Sequence, residues 1–130
     1  MRVSGILALA LVAAFAAKSA DAQSNPPHAL ICAFDRQFMC LPNLDRCNKV
    51  DPAKSPGWAL IDFDTGTYSI CEPQGCKTLK AIIQQDGVYL DISLPGGAMA
   101  KLEAGSNRLM EVTTVLLGTF VSYMNCRPAK

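Results

Sequence analysis

The sequence predicts an all-β domain, a small antiparallel meander forming a compact barrel or sandwich of about seven or eight strands. Three observations carry that expectation. From Ala29 to Lys130 the chain is a succession of short apolar and β-branched runs, split at intervals by Gly, Pro, Asn and Asp. Two of the splits, Asp64-Thr65-Gly66 and Gln85-Asp86-Gly87, have the composition of hairpin turns, each ending on a glycine free to take positive φ. Six cysteines supply the covalent staples that a small extracytoplasmic core needs.

Taken in order, Leu30, Cys32, Phe34 and Phe38 share one parity and predict a first strand over Leu30–Met39, with Arg36 as the exception. Leu41–Pro56 is rich in proline and asparagine and reads as a long connecting loop, pinned by cysteine. Trp58–Phe63 and Thr67–Cys71 flank the first turn, and Leu79–Gln84 and Val88–Leu94 flank the second. Pro95-Gly96-Gly97 then breaks the chain. Ala98–Ala104 consists of strong helix formers followed by Gly105, so strand and helix both remain open there; Lys77–Gln85 also has the composition for two helical turns. Leu109–Met124 is interrupted by Gly118, and its β-branched Val112–Val115 belongs in a strand.

Cys32, Cys40, Cys47, Cys71, Cys76 and Cys126 allow fifteen pairings, and sequence alone selects none. The placement of the predicted elements favours two local clamps, Cys71–Cys76 across a Pro-Gly turn and Cys40–Cys47 around Pro42 and Asn43. Cys32 is then left for Cys126, a bond that would join the first and last strands. A redox dithiol normally has two intervening residues, and thiolate metal sites want paired short spacings or histidines. The single histidine is His28, beside two prolines. Structural disulfides are expected, with no metal and no cofactor.

The front of the chain indicates export. Arg2 gives a short positive start, Ile6–Ala17 is an unbroken apolar run, and Ala20-Asp21-Ala22 offers small residues at the two positions a signal peptidase inspects. The run is too short for a resident membrane helix, which needs roughly 20 residues. The expected organisation is therefore a signal peptide over 1–22, a loose lead-in over 23–28 and one β-rich domain over 29–130, located in the periplasm or outside the cell. Removing Arg2, Lys18 and Asp21 from twelve basic and eleven acidic side chains leaves ten of each. Such a balance offers no basic face for nucleic acid and no polybasic block for anionic lipid. No stable membrane insertion is expected after cleavage.

Candidate sites are few. Asp62, Asp64 and Glu72 cluster in sequence, but an EF-hand would place a carboxylate where Pro73 stands. Trp58, Phe63, Tyr68 and Tyr89 could form an aromatic platform, although aromatics in a small β domain more often pack the core. Arg36 in an apolar strand must sit on an edge, pair with Asp35 or Asp62, or face a partner. Neither a nucleophile with a usable histidine nor a phosphate-cradling glycine loop is evident.

Asp64-Thr65-Gly66, following the apolar Ala59–Phe63, resembles the active-site triplet of retroviral-type aspartic peptidases. Leu116-Leu117-Gly118 looks like the second motif of that family. The resemblance covers six residues and implies a dimer in which two Asp64 carboxylates share a proton. Gly66 is followed by Thr67 where that family usually has Ala or Ser, and six cysteines are foreign to it. A hairpin tip wants Asp-Thr-Gly for its own reasons.

The leading expectation is a small exported protein acting without catalysis, a binding or inhibitor module for an envelope or extracellular protein. By architecture alone it is similar to the compact periplasmic barrels that inhibit lysozyme or bind small ligands. A module would present a loop such as Leu41–Pro56 or an exposed strand edge. The alternative is a carrier with an apolar cavity lined by residues such as Phe34, Trp58 and Leu90, and the peptidase-like dimer is the remote one.

Overall fold

The computed structural model describes residues 27–42, 46–54, 56–116 and 118–130. The signal segment, most of the lead-in, Asn43 and Leu117 lie outside the described residues. Among the described residues ten strands follow in order: β1 (Ala29–Cys40), β2 (Cys47–Val50), β3 (Trp58–Asp62), β4 (Thr67–Glu72), β5 (Gly75–Lys80), β6 (Ile82–Asp86), β7 (Tyr89–Ser93), β8 (Met99–Glu103), β9 (Arg108–Val115) and β10 (Gly118–Pro128). Short 3-10 turns occupy Pro52–Lys54 and Pro95–Gly97.

All pairings are antiparallel, and the ladder runs β5-β4-β3-β1-β10-β9-β8-β7-β6. Its two ends are continuous in the chain, because Ala81 alone separates β5 from β6. Strands β2 and β3 share one edge of β1, β2 along Gln37–Cys40 and β3 along Ala29–Ala33, while β10 occupies the other edge. Counting β2 with β3 and β5 with β6, the ten strands make eight staves of a nearly closed up-and-down barrel. The fold class is the one expected from sequence. The strand count rises to ten because two staves are each broken in two.

Closure is visible in the core. Leu30, Cys32, Ile61, Tyr68, Ile92, Leu102, Leu109 and Met124 come from strands all round the barrel yet form one buried cluster. Tyr68 on β4 hydrogen-bonds Glu111 on β9, four steps away along the ladder, so the two side chains meet across the interior. The disulfides are Cys32–Cys126, Cys40–Cys47 and Cys71–Cys76, each between directly opposite residues with Cα–Cα distances of 3.9, 4.1 and 4.0 Å.

Two local expectations change and one open choice is settled. A bulge at Asp35, between the pairs Phe34↔Met124 and Arg36↔Tyr123, shifts the parity of β1. Leu30, Cys32 and Phe34 face inward before it; Gln37 takes the inward role after it, bonding Ser122 Oγ at 3.0 Å. Phe38 and Arg36 therefore point outward, and Arg36 is no longer an exception. The Leu41–Pro56 stretch is not all loop: the Cys40–Cys47 bond holds Cys47 opposite Cys40, and β2 grows from that pair. Met99–Glu103 is strand despite its helix-forming composition, because Ala100 and Leu102 bury into the core while Met99, Lys101 and Glu103 do not. Alternating burial between two neighbouring strands outweighs intrinsic propensity.

Candidate functional site

Residues just below the bulge build a groove on the outer wall. Two adjacent rows of cross-strand neighbours define it: Arg36, Tyr123, Met110 and Lys101 in one, and Asn125, Arg108 and Glu103 with Tyr89 in the other. Each row crosses strands of β1, β10, β9, β8 or β7, and along β8, β9 and β10 its members alternate with the core residues Leu102, Leu109 and Met124. The groove encloses about 580 Å³, within the size of small-ligand or side-chain pockets.

Its floor is apolar and partly open. Tyr89, Met110 and Tyr123 remain 37 %, 37 % and 36 % exposed, unusual for large apolar groups at the centre of a sheet face. Cations are held against both aromatic rings. The Arg36 guanidinium lies 5.1 Å from the Tyr123 ring centre, and Lys101 Nζ lies 5.0 Å from that of Tyr89. Phe38 meets Tyr123 edge-on at 6.2 Å, buttressing the ring from the next row. Arg36 Nε also donates to Asp35 at 3.3 Å, and Lys101 is 3.2 Å from Asp91 and 3.9 Å from Asp86. Charge is nearly balanced across the groove, so its recognition would rest on aromatic and thioether surface framed by oriented donors and acceptors.

Most of the residues singled out by sequence lie elsewhere. Tyr68 is fully buried and donates to Glu111, whose other oxygen accepts from Thr113 Oγ1 at 3.1 Å. Burial, and then the charge and hydrogen bond of Glu111, push the Tyr68 phenol far above its ordinary range. Phe34, Phe63 and Leu90 pack against the core, and Trp58 begins β3 opposite Cys71. Of the four aromatic candidates, Tyr89 alone reaches the groove. Glu72 borders a smaller hollow of about 380 Å³ beside the β4–β5 turn. Among the described residues, no group of three His, Cys, Asp or Glu side chains is placed to hold a metal.

Asp64 sits on the β3–β4 turn, its side chain 64 % exposed, with His28 Nδ1 at 2.8 Å. Gly66 takes φ 62° there, and Asp62 Oδ1 accepts the Thr65 N–H at 3.0 Å, which, with other local contacts, lowers the Asp62 pKa. The turn lies at the end of the barrel that carries Ala29 and Ala129. Leu116 lies on the β9–β10 turn at the opposite end, so the two segments that resemble the peptidase motifs are a strand length apart rather than packed together.

The groove was missed in sequence because no two of its strands present it alone. The one available signal was Arg36, whose outward placement depends on a bulge that a parity count cannot see. Comparison of the chain with protein-family profiles, curated proteins and solved structures finds no match.

Proposed function

We propose that this protein is a small exported, non-catalytic binding module whose partner inserts side chains into the outer-wall groove. The observation that carries the reading is the pairing of an open apolar floor, Tyr123 and Met110, with cations stacked on its aromatic rings. Aromatics, Met and Arg are the residue types enriched at protein interfaces, and a rigid sheet presents them with little ordering cost. Three disulfides are typical of exported proteins. With the signal-like N-terminus they favour the periplasm or the extracellular space, and an envelope or extracellular protein as partner. The carrier alternative gains little, since Phe34 and Leu90 pack against the core instead of lining a mouth.

The test uses oxidised protein beginning at Gln23 as bait against envelope extract, beside a Met110→Asp/Tyr123→Ala variant with unchanged melting. One stoichiometric protein captured by the wild type and lost by the variant is the expected result. Equal capture by both baits, or capture by neither, would remove the groove from the account.

A further inference from the structure

We infer that the groove's partner is an extended segment carrying an acidic side chain, held by Arg108 and Asn125, with apolar side chains following it on the same face. The inference rests on the groove being a docking surface and supplies the chemistry of what docks there.

All but one of the charged groups around the groove are already engaged. Asp35 accepts from Arg36 Nε, and Lys101 pairs with Asp91 and Asp86. Glu103 stands opposite Arg108 in register, yet its carboxylate accepts from the Ser106 hydroxyl instead. Among the described residues no carboxylate oxygen comes within 4.0 Å of the Arg108 guanidinium. Arg108 is exposed, and Asn125 stands directly opposite it on β10 with an amide donor of its own. A guanidinium fork fits a carboxylate through two parallel hydrogen bonds. A cation docking here would first have to take a carboxylate from Arg36, Lys101 or Ser106. Charge therefore selects an anionic side chain over a cationic one.

The neighbouring rows decide what accompanies it. Outward residues on β9 run Arg108, Met110, Val112, and those opposite them on β10 run Asn125, Tyr123, Val121. Polarity falls steadily along both strands. The third row is apolar across four neighbouring strands, with Phe38 beside Val121 and Met99 beside Val112. Met99 is 58 % exposed and the other three are half-buried. Contiguous apolar rows of this kind mark interaction surfaces, whereas scattered single residues do not. Successive rows on β9 and β10 are two residues apart, about 6.6 Å, and alternate residues of an extended partner have the same spacing. An acidic residue on Arg108 thus brings the second and fourth residues beyond it over Met110 and Val112.

The experiment is a titration of the oxidised protein, begun at Gln23, followed by amide nitrogen–proton correlation spectra. The probes are the blocked peptides Glu-Ser-Leu-Ser-Leu and Leu-Ser-Leu-Ser-Glu, each beside versions with Gln or Lys in place of Glu. At least one Glu peptide should give saturable shifts at Arg108, Met110, Val112 and Tyr123, binding about fivefold more tightly than its Gln and Lys versions. Arg108→Gln should abolish that preference with melting unchanged, and Met99→Ser should weaken the Glu and Gln versions alike. No saturable shifts on this face, equal affinity for the three versions, a preference retained by Arg108→Gln, or undiminished binding by Met99→Ser would overturn the proposal. Arg108→Gln also serves as bait against envelope extract. A protein it captures as well as the wild type does, but that Met110→Asp/Tyr123→Ala loses, would overturn the acidic assignment and leave the groove reading standing.

Discussion

The two ends of the barrel are built on different terms. At the terminal end, Leu30 pairs with Pro128, Ala129 N–H reaches the Ala29 carbonyl, and Cys32–Cys126 ties residues 94 apart in sequence. The side chains there, Leu30, Ile61 and Tyr68, are essentially inaccessible to water. At the β9–β10 turn end, Met39, Phe120 and Val121 are only half-buried, the disulfide spans seven residues, and Leu116 is fully exposed. One end closes the barrel and the other is spared from closing it. A small domain can leave apolar surface exposed for recognition where the rest of the molecule supplies the stability.

The largest effect should come from cutting the terminal closure. Cys32→Ala with Cys126→Ala frees a loop of 94 residues, a loss of about 4–5 kcal/mol in the loop-entropy account. A fall in Tm of roughly 20 °C or more follows at the usual conversion for a domain of this size. The matching double substitution at Cys40 and Cys47 frees seven residues and should cost about 2 kcal/mol. Thermal melts of the two variants give the ratio; equal losses would erase the contrast.

Next in size is Tyr68→Phe. It leaves the buried Glu111 carboxylate with one fewer donor, at about 1–3 kcal/mol. The pH dependence carries a sign. The folded chain holds the Tyr68 proton to higher pH than the unfolded chain, where the phenol has its ordinary value of 10.0. Its contribution is therefore complete below that value and is lost as pH rises above it. The wild type should lose Tm faster than Tyr68→Phe on the alkaline side, and parallel alkaline limbs would contradict the buried pair. The smallest effect belongs to Asp62→Asn on the exposed β3–β4 turn. Because the folded Asp62 pKa is lowered, its contribution is present above the unfolded value and fades as pH falls through the folded one. The Asp62→Asn variant should differ from wild type at neutral pH but converge with it in acid.

The sequence made one end far more legible than the other. Gly66 and Gly87 announced their hairpins because positive φ at those turns is a local demand, met at 62° and 60°. The ends of the predicted strands favoured one disulfide pairing, while the sequence alone left fifteen open. Strand β2 was hidden in what reads as loop, four residues whose pairing with β1 starts at the Cys40–Cys47 bond. The groove was hidden by a single inserted residue, Asp35, which turns Phe38 and Arg36 from the core face to the outer face. Glu111 escaped notice because nothing nearby in sequence marks a carboxylate whose partner, Tyr68, is 43 residues away.

Native-state hydrogen exchange of the oxidised protein tests the contrast between the ends most directly. Amides of Ile31–Ala33 and Met124–Cys126 should exchange only through global unfolding, whereas those of Thr113–Val115 and Thr119–Val121 should exchange through a smaller local opening. Equal protection at both ends, or β9–β10 turn amides more protected than the terminal closure, would contradict the account.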